Sequence, residues 1–120
     1  MHNYRSLRAW ASAHEALLVA HRATAGKRPP ESWSLFDQLR RASVSVEANI
    51  VEGYALGTPA YFKRHIRIAL GSAAEAECVA RAAGELGYLT EDTVRQLEGL
   101  LGGTMQMLSG LLKRDRKPPT

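Results

Sequence analysis

The run Phe36-Asp37-Gln38-Leu39-Arg40-Arg41-Ala42-Ser43-Val44-Ser45-Val46-Glu47-Ala48-Asn49-Ile50-Val51-Glu52-Gly53 sets an arginine pair, an asparagine and a glutamate inside what otherwise reads as a packing helix. Arg41, Ala48 and Glu52 fall on one side at helical spacing, so that Arg40, Arg41, Asn49 and Glu52 look at first sight like a catalytic cluster. No nucleophile and no flexible Gly-rich loop accompanies them, and no residue set in the chain supplies a nucleophile, base and oxyanion site together. The expected role is structural. Arg40, Arg41, Asn49, Glu52 and Glu75 make a polar network in which Glu52 or Glu75 pairs an arginine across the second and third helices, because buried charges persist only when paired. No catalytic residue is expected, and the chain reads as non-enzymatic.

Metal chemistry fares no better. A di-iron carboxylate bundle needs Glu-x-x-His on two helices, and no glutamate here has a histidine three residues later. His14 and His21 stand two turns apart on one helix face, but two ligands do not hold zinc alone, so they read as amphipathic core-edge residues. His65 lies among basic residues, and Cys78 is the single cysteine, which excludes an internal disulfide and fits a reducing compartment. Neither a metal nor a cofactor is expected.

Four helices must position these groups. The first spans about Tyr4 to Thr24, with Leu7, Ala11 and Leu18 on one stripe and Trp10, Leu17 and Ala20 on its neighbour, and Gly26 followed by Pro29-Pro30 ends it. The second opens after Ser32 or Ser34, either able to cap free amides, and carries Leu39, Ala42, Val46, Ile50 and Gly53 before Gly57 breaks it. Thr58-Pro59 starts the third, whose face from Ile66 to Ala83 is mostly alanine and therefore requires a partner helix to approach closely. Gly87 stops it. Thr90 caps the fourth, with Glu91 and Asp92 in the positive first turn and Val94, Leu97, Leu101, Leu108 and Leu112 as its stripe. Residues 1–114 are expected to form the bundle domain and 115–120 a flexible basic tail. Short connections favour an all-α, up-down-up-down four-helix bundle.

That topology gives the charges an address. One pole collects Arg5, Arg8, Lys63, Arg64, Arg67, Lys113, Arg114, Arg116 and Lys117 against only Glu52 and Asp115. The other ends of helices three and four hold Glu75, Glu77, Glu85, Glu91, Asp92 and Glu98 against Arg81 and Arg95. Clustered bases attract phosphates and displace condensed counterions. They also stabilise the negative end of the last helix, or stand as a solvated face. Helix four further carries Gly99, Gly102, Gly103 and Gly110 opposite its leucines. Each costs roughly 0.5–1 kcal/mol relative to alanine, so either another subunit's helix approaches there or the positions have drifted. Leu100, Met107 and Leu111 widen the apolar arc, which favours an interface.

The 120-residue chain is long enough for one core, and its net charge of +4 permits polyanion binding without demanding it. Met1-His2-Asn3-Tyr4-Arg5 lacks the layout of a signal peptide, and no segment approaches the ~20 apolar residues of a membrane span. The cytoplasm is the expected compartment.

His2-Asn3-Tyr4, Leu7 and Trp10, Gln38-Leu39-Arg40-Arg41, Asn49-Ile50-x-Glu52-Gly53, Ala69-Leu70-Gly71-Ser72-Ala73-Ala74-Glu75-Ala76-Glu77 and Leu86-Gly87-Tyr88-Leu89 occur in that order along nearly the whole chain. In these the chain resembles the 23S rRNA-intervening-sequence proteins, usually called four-helix bundle proteins. The resemblance implies a small up-and-down bundle assembling as a homopentamer, without established enzymatic activity. Some members are encoded inside ribosomal RNA insertions, and related accessory proteins of diversity-generating retroelements assist a reverse transcriptase as a basic pentamer that binds nucleic acid. Two departures stand out: Glu47-Ala48, where a proline-containing step is common, and the alanine-rich run Ala73 to Ala83, where leucines are usual.

Two functions follow as expectations. In the first, a homo-oligomer binds RNA or DNA without sequence preference through the basic pole. In the alternative, the bundle is a protein-interaction scaffold or accessory module, for example to a reverse transcriptase, and the basic end is only solvated.

Overall fold

The structure, a computed structural model, describes Tyr4 and residues 7–115, with side chains through Lys113. Four helices follow one another: α1 (Arg8–Ala23), α2 (Trp33–Leu56), α3 (Pro59–Glu85) and α4 (Glu91–Asp115), with a short 3₁₀ turn at Pro30–Ser32 before α2. Their cross-contacts fix an antiparallel order. His14 meets Glu47 and Thr24 meets Arg40 between α1 and α2, Ser45 meets Ser72 and Asn49 meets His65 between α2 and α3, and Arg81 meets Glu98 between α3 and α4. Ser12 donates to the Leu100 carbonyl at 2.8 Å, which returns α4 to α1 and closes the ring. The result is an up-down-up-down rod of 55 × 22 × 21 Å.

Local chemistry accounts for the ends. Gly26, Gly57 and Gly87 hold positive φ angles of 84°, 76° and 82° at the three connections, a region that costs glycine little and other residues more. After α3 the amides of Gly87 and Tyr88 bond back to the carbonyls of Gly84 and Ala83, satisfying groups a helix end leaves open. Thr58 Oγ1 accepts from the Tyr61 amide and Thr90 Oγ1 from the Thr93 amide, so both threonines cap as expected. Ser32 does not: its hydroxyl donates to the Pro29 carbonyl, in the tight turn that the two prolines impose. Helix α1 also begins later than the pattern suggests, because Leu7 is extended, with φ −81° and ψ 130°.

The core corrects the expected α1 stripe. Its buried positions are Ala9, Ala13, Ala16, Val19 and Ala20, while Ala11 is exposed and Leu7, Trp10, Leu17 and Leu18 are half-buried flanks. Helix α3 likewise buries Ala69, Ala73, Ala76, Ala80 and Ala83 behind Ile66. The volume comes from the other two helices, chiefly Phe36, Leu39, Val46 and Ile50 of α2 and Leu97, Leu101 and Leu108 of α4. Small residues on α1 and α3 let their backbones close on these large ones. Thr104 interrupts the leucines of α4; fully buried, it donates to Ser12 Oγ at 2.8 Å, and its Oγ1 lies 2.8 Å from the Leu100 carbonyl oxygen that Ser12 bonds. No helix among the described residues is long and apolar enough to cross a membrane.

Candidate nucleic-acid interface

The antiparallel order brings the start of α1, the end of α2, the start of α3 and the end of α4 to one pole. Arg8 and Lys113, both exposed, line a groove of about 640 Å³ between α1 and α4, over Leu7, Ala9, Met107 and Leu111. On α3, Arg64 and Arg67 are exposed and Lys63 is half-buried. Arg5, Arg116 and Lys117 lie outside the described residues, as does the side chain of Arg114, whose backbone continues α4. Five of the nine bases assigned to this pole are therefore placed with their side chains, and all five belong to the ends of helices that meet there.

Behind them sits a packed histidine. His65 Nδ1 lies 2.9 Å from Asn49 Oδ1 and 3.4 Å from Glu52 Oε2, with Tyr61 stacked at a 6.4 Å centroid distance. Gly53 makes room for it: a Cβ there would stand 3.3 Å from His65 Cβ and 3.6 Å from the Phe62 carbonyl oxygen. The asparagine is held in turn by a bond from its amide nitrogen to the Ser45 carbonyl at 2.8 Å. With four helices in this order and basic helix ends at one pole, a family model described as 23S rRNA-intervening sequence protein matches residues 5–110. The chain belongs to this family. No curated protein matches it.

In this 23S rRNA-intervening sequence protein the expected arginine–glutamate network takes a different form. Glu52 faces His65, and Glu75 accepts from Gln38 Nε2. Arg40 turns away from α3 altogether: its Nε donates to Thr24 Oγ1 at 2.8 Å and its Nη2 to the Thr24 carbonyl, while Nη1 stands 3.7 Å from Asp37. It thus occupies the C-terminus of α1, where a cation is favoured by the carbonyls left open and by the helix dipole. Arg41 is exposed and makes no hydrogen bond or ion pair among the described residues. Of the five network residues only Asn49 and Glu52 come together, on an imidazole rather than on a guanidinium.

The histidines divide as well. His14 Nδ1 lies 2.6 Å from Glu47 Oε1 with its ring stacked on Trp10 at 4.9 Å, whereas His21 bonds the Leu17 carbonyl of its own helix. No group of three or more histidine, cysteine or acidic residues suited to a metal occurs among the described residues. The glycines of α4 also separate. Gly103 faces α1, 4.0 Å from Ser12 Oγ for an added Cβ, and Gly110 borders the α1–α4 groove, while Gly99 and Gly102 meet nothing.

At the far pole the acidic residues on α3 and α4 pair locally, Arg81 with Glu98 at 2.7 Å and Arg95 with Glu91 at 2.7 Å. The bond and charge of Glu98 raise the Arg81 guanidinium above its ordinary pKa. The α1–α2 half of that pole is different, for it brings Arg28 and Arg40 together beside the exposed Trp33. In the sequence, Lys27 to Pro30 reads only as a helix stop. The signal available was two bases, Lys27 and Arg28, in one short connection, with a tryptophan opening the next helix. Arg28 carries the one buried side-chain nitrogen or oxygen left without a partner among the described residues, its Nε, a condition that costs about 1–3 kcal/mol.

Proposed function

We propose that this chain is a non-enzymatic, homo-oligomeric protein of the cytoplasm that associates with RNA or DNA through the pole formed by Arg8, Lys63, Arg64, Arg67 and Lys113. The observation that carries the reading is the convergence of these bases, from three helices, on one end of a rod only 22 × 21 Å in cross-section. Phosphates spaced along a strand can engage several of them at once, and each contact releases condensed counterions. Base readout has no evident vehicle here, because the cationic side chains are long, exposed and suited to the backbone of nucleic acid. Binding is therefore independent of sequence. A homopentamer, which the family resemblance implies, would repeat the pole and multiply weak contacts through effective concentration.

The test is a titration of single-stranded RNA and duplex DNA at several salt concentrations, beside light scattering. Wild-type protein is expected to bind both with a log-linear loss of affinity in salt. Lys63→Gln, Arg64→Gln and Arg67→Gln together are expected to weaken binding to all sequences alike and to flatten the salt slope by roughly 0.7–0.9 for each phosphate no longer neutralised, with the oligomer intact. No binding by the wild type at low salt, or unchanged affinity in the triple variant, rejects the reading.

A second reading has its own observation. Val44 on α2 and Ile68 on α3 remain 46% and 41% exposed, Val44 next to Ser45 and Ile68 one turn before Ser72, the pair that closes the α2–α3 seam at 2.7 Å. Such residues suit burial against another protein. A scaffold or accessory module, for example to a reverse transcriptase, would use this face and hold its partner at high salt.

A further inference from the structure

We propose that the α1–α2 turn carries a second anion site, separate from the basic pole, that takes a phosphate joined to a flat ring: a nucleotide, free or at the end of a strand. The pocket there has a volume of about 330 Å³ and is walled by Arg28, Arg40 and Trp33, with Phe36 and Asp37 between them. Capping of α1 explains part of this. Arg40 spends Nε and Nη2 on Thr24, and Arg28 gives Nη2 to the Ala23 carbonyl. Three features are left over. Arg28 Nε is buried and donates to nothing, and the Nη1 groups have no hydrogen bond, that of Arg40 standing only within 3.7 Å of Asp37. Trp33 is 60% exposed although its Nε1 is tied to the Arg28 carbonyl at 3.3 Å, so the indole is held in place with most of its surface open.

These leftovers have one common use. The unbonded Nη1 groups match phosphate oxygens in geometry and charge, and an anchored, open indole is a stacking platform for a base. The Arg28 guanidinium is itself braced 5.6 Å above the Phe36 ring, which limits the entropy lost on binding. The carbonyl end of α1 borders the same pocket, and Arg28 and Arg40, each bonded to it, offset its negative dipole. Lys27 is exposed on the same turn, and with Arg28 and Arg40 it outweighs Glu31 and Asp37 by one charge. The pocket volume suits a single nucleoside monophosphate.

Trp10 and Trp33 are the only tryptophans, so a Trp10→Phe background reports on Trp33 alone. Adenosine monophosphate titrated into that full-length protein is expected to quench the fluorescence saturably, while adenosine without phosphate does so at least about tenfold more weakly. Arg28→Gln is expected to weaken binding about tenfold or more, with circular dichroism unchanged. The Lys63, Arg64 and Arg67 triple glutamine variant is expected to leave it unaltered, which separates this site from the pole. A terminally phosphorylated oligonucleotide, compared with its unphosphorylated twin in the triple variant, identifies the source: preference for it without mononucleotide binding assigns the site to strand ends, and mononucleotide binding assigns it to free nucleotides. Neither response, or binding that survives Arg28→Gln, overturns the proposal.

Discussion

Replacing Gly84 by alanine puts a close approach of two helices to the test. An added Cβ would stand 2.5 Å from Val94 Cγ2 and 3.6 Å from Val94 Cβ, the first well inside the sum of carbon radii. Valine is stiff at χ1 on a helix, so the conflict must be met by moving α3 and α4 apart. Behind Gly84 the α3 face is alanine, which has no spare reach to refill the gap. Overpacking of this kind costs about 1–3 kcal/mol, against a gain below the roughly 0.5–1 kcal/mol of a helix-interior glycine, because Gly84 is the penultimate residue of α3. The expected net loss is about 1 kcal/mol. Gly71, exposed on the same helix with nothing within 4 Å of an added Cβ, supplies the control, and Gly71→Ala is expected to stabilise by the full propensity gain. Thermal melts at one protein concentration should place Gly84→Ala at least about 4 °C below Gly71→Ala. In a Val94→Ala background the gap should close, with Gly84→Ala no longer destabilising. If Gly84→Ala melts with Gly71→Ala in the unaltered background, the helices are not locked by that contact and the close-packing account is wrong.

Arg40→Ala is expected to lower stability by about 1–2 kcal/mol by stripping the C-terminus of α1 of its bonds to Arg40, and urea denaturation measures it. Glu52→Ala is expected to cost under about 1 kcal/mol, since its carboxylate is 57% exposed, and to add independently to Arg40→Ala; a strongly coupled pair in a double-mutant cycle would restore the direct ion pair between them. Thr104→Val is expected to cost about 1 kcal/mol in the same assay, because Ser12 Oγ loses its donor while keeping its bond to Leu100. Light scattering at micromolar concentration is expected to give the mass of an oligomer, five copies on the family resemblance, and a monomer there would remove the multiplied pole.

Helix number, order and most boundaries were legible because glycines and prolines punctuate the chain and apolar residues repeat at three and four. What periodicity does not convey is which of two apolar stripes faces inward. Helix α1 offers both a leucine and tryptophan edge and an alanine line, and the alanines win because α2 and α4 already supply the bulk. The polar network differs from expectation for a related reason. Arg40 and Glu52 lie on one helix, but Gly26 and the two prolines fold the α1–α2 connection so that the open carbonyls of α1 end beside Arg40, a proximity no local spacing encodes. The basic pole was legible because topology alone assigns helix ends, whereas the pocket at Arg28 and Trp33 depends on how the connection from Thr24 to Ser32 closes.

The uneven division of bulk among the four helices also sets how this chain can vary. At Ala13, Ala73 or Ala80 nearly every replacement adds volume where none is free, so these positions resist enlargement. At Leu39, Leu97 or Leu101 it is truncation that leaves a void. Tolerance to substitution is thus directional and alternates along the chain, helix by helix. Growth of the core on α1 or α3 requires a matching reduction on α2 or α4, so the interior changes in compensated pairs rather than one residue at a time.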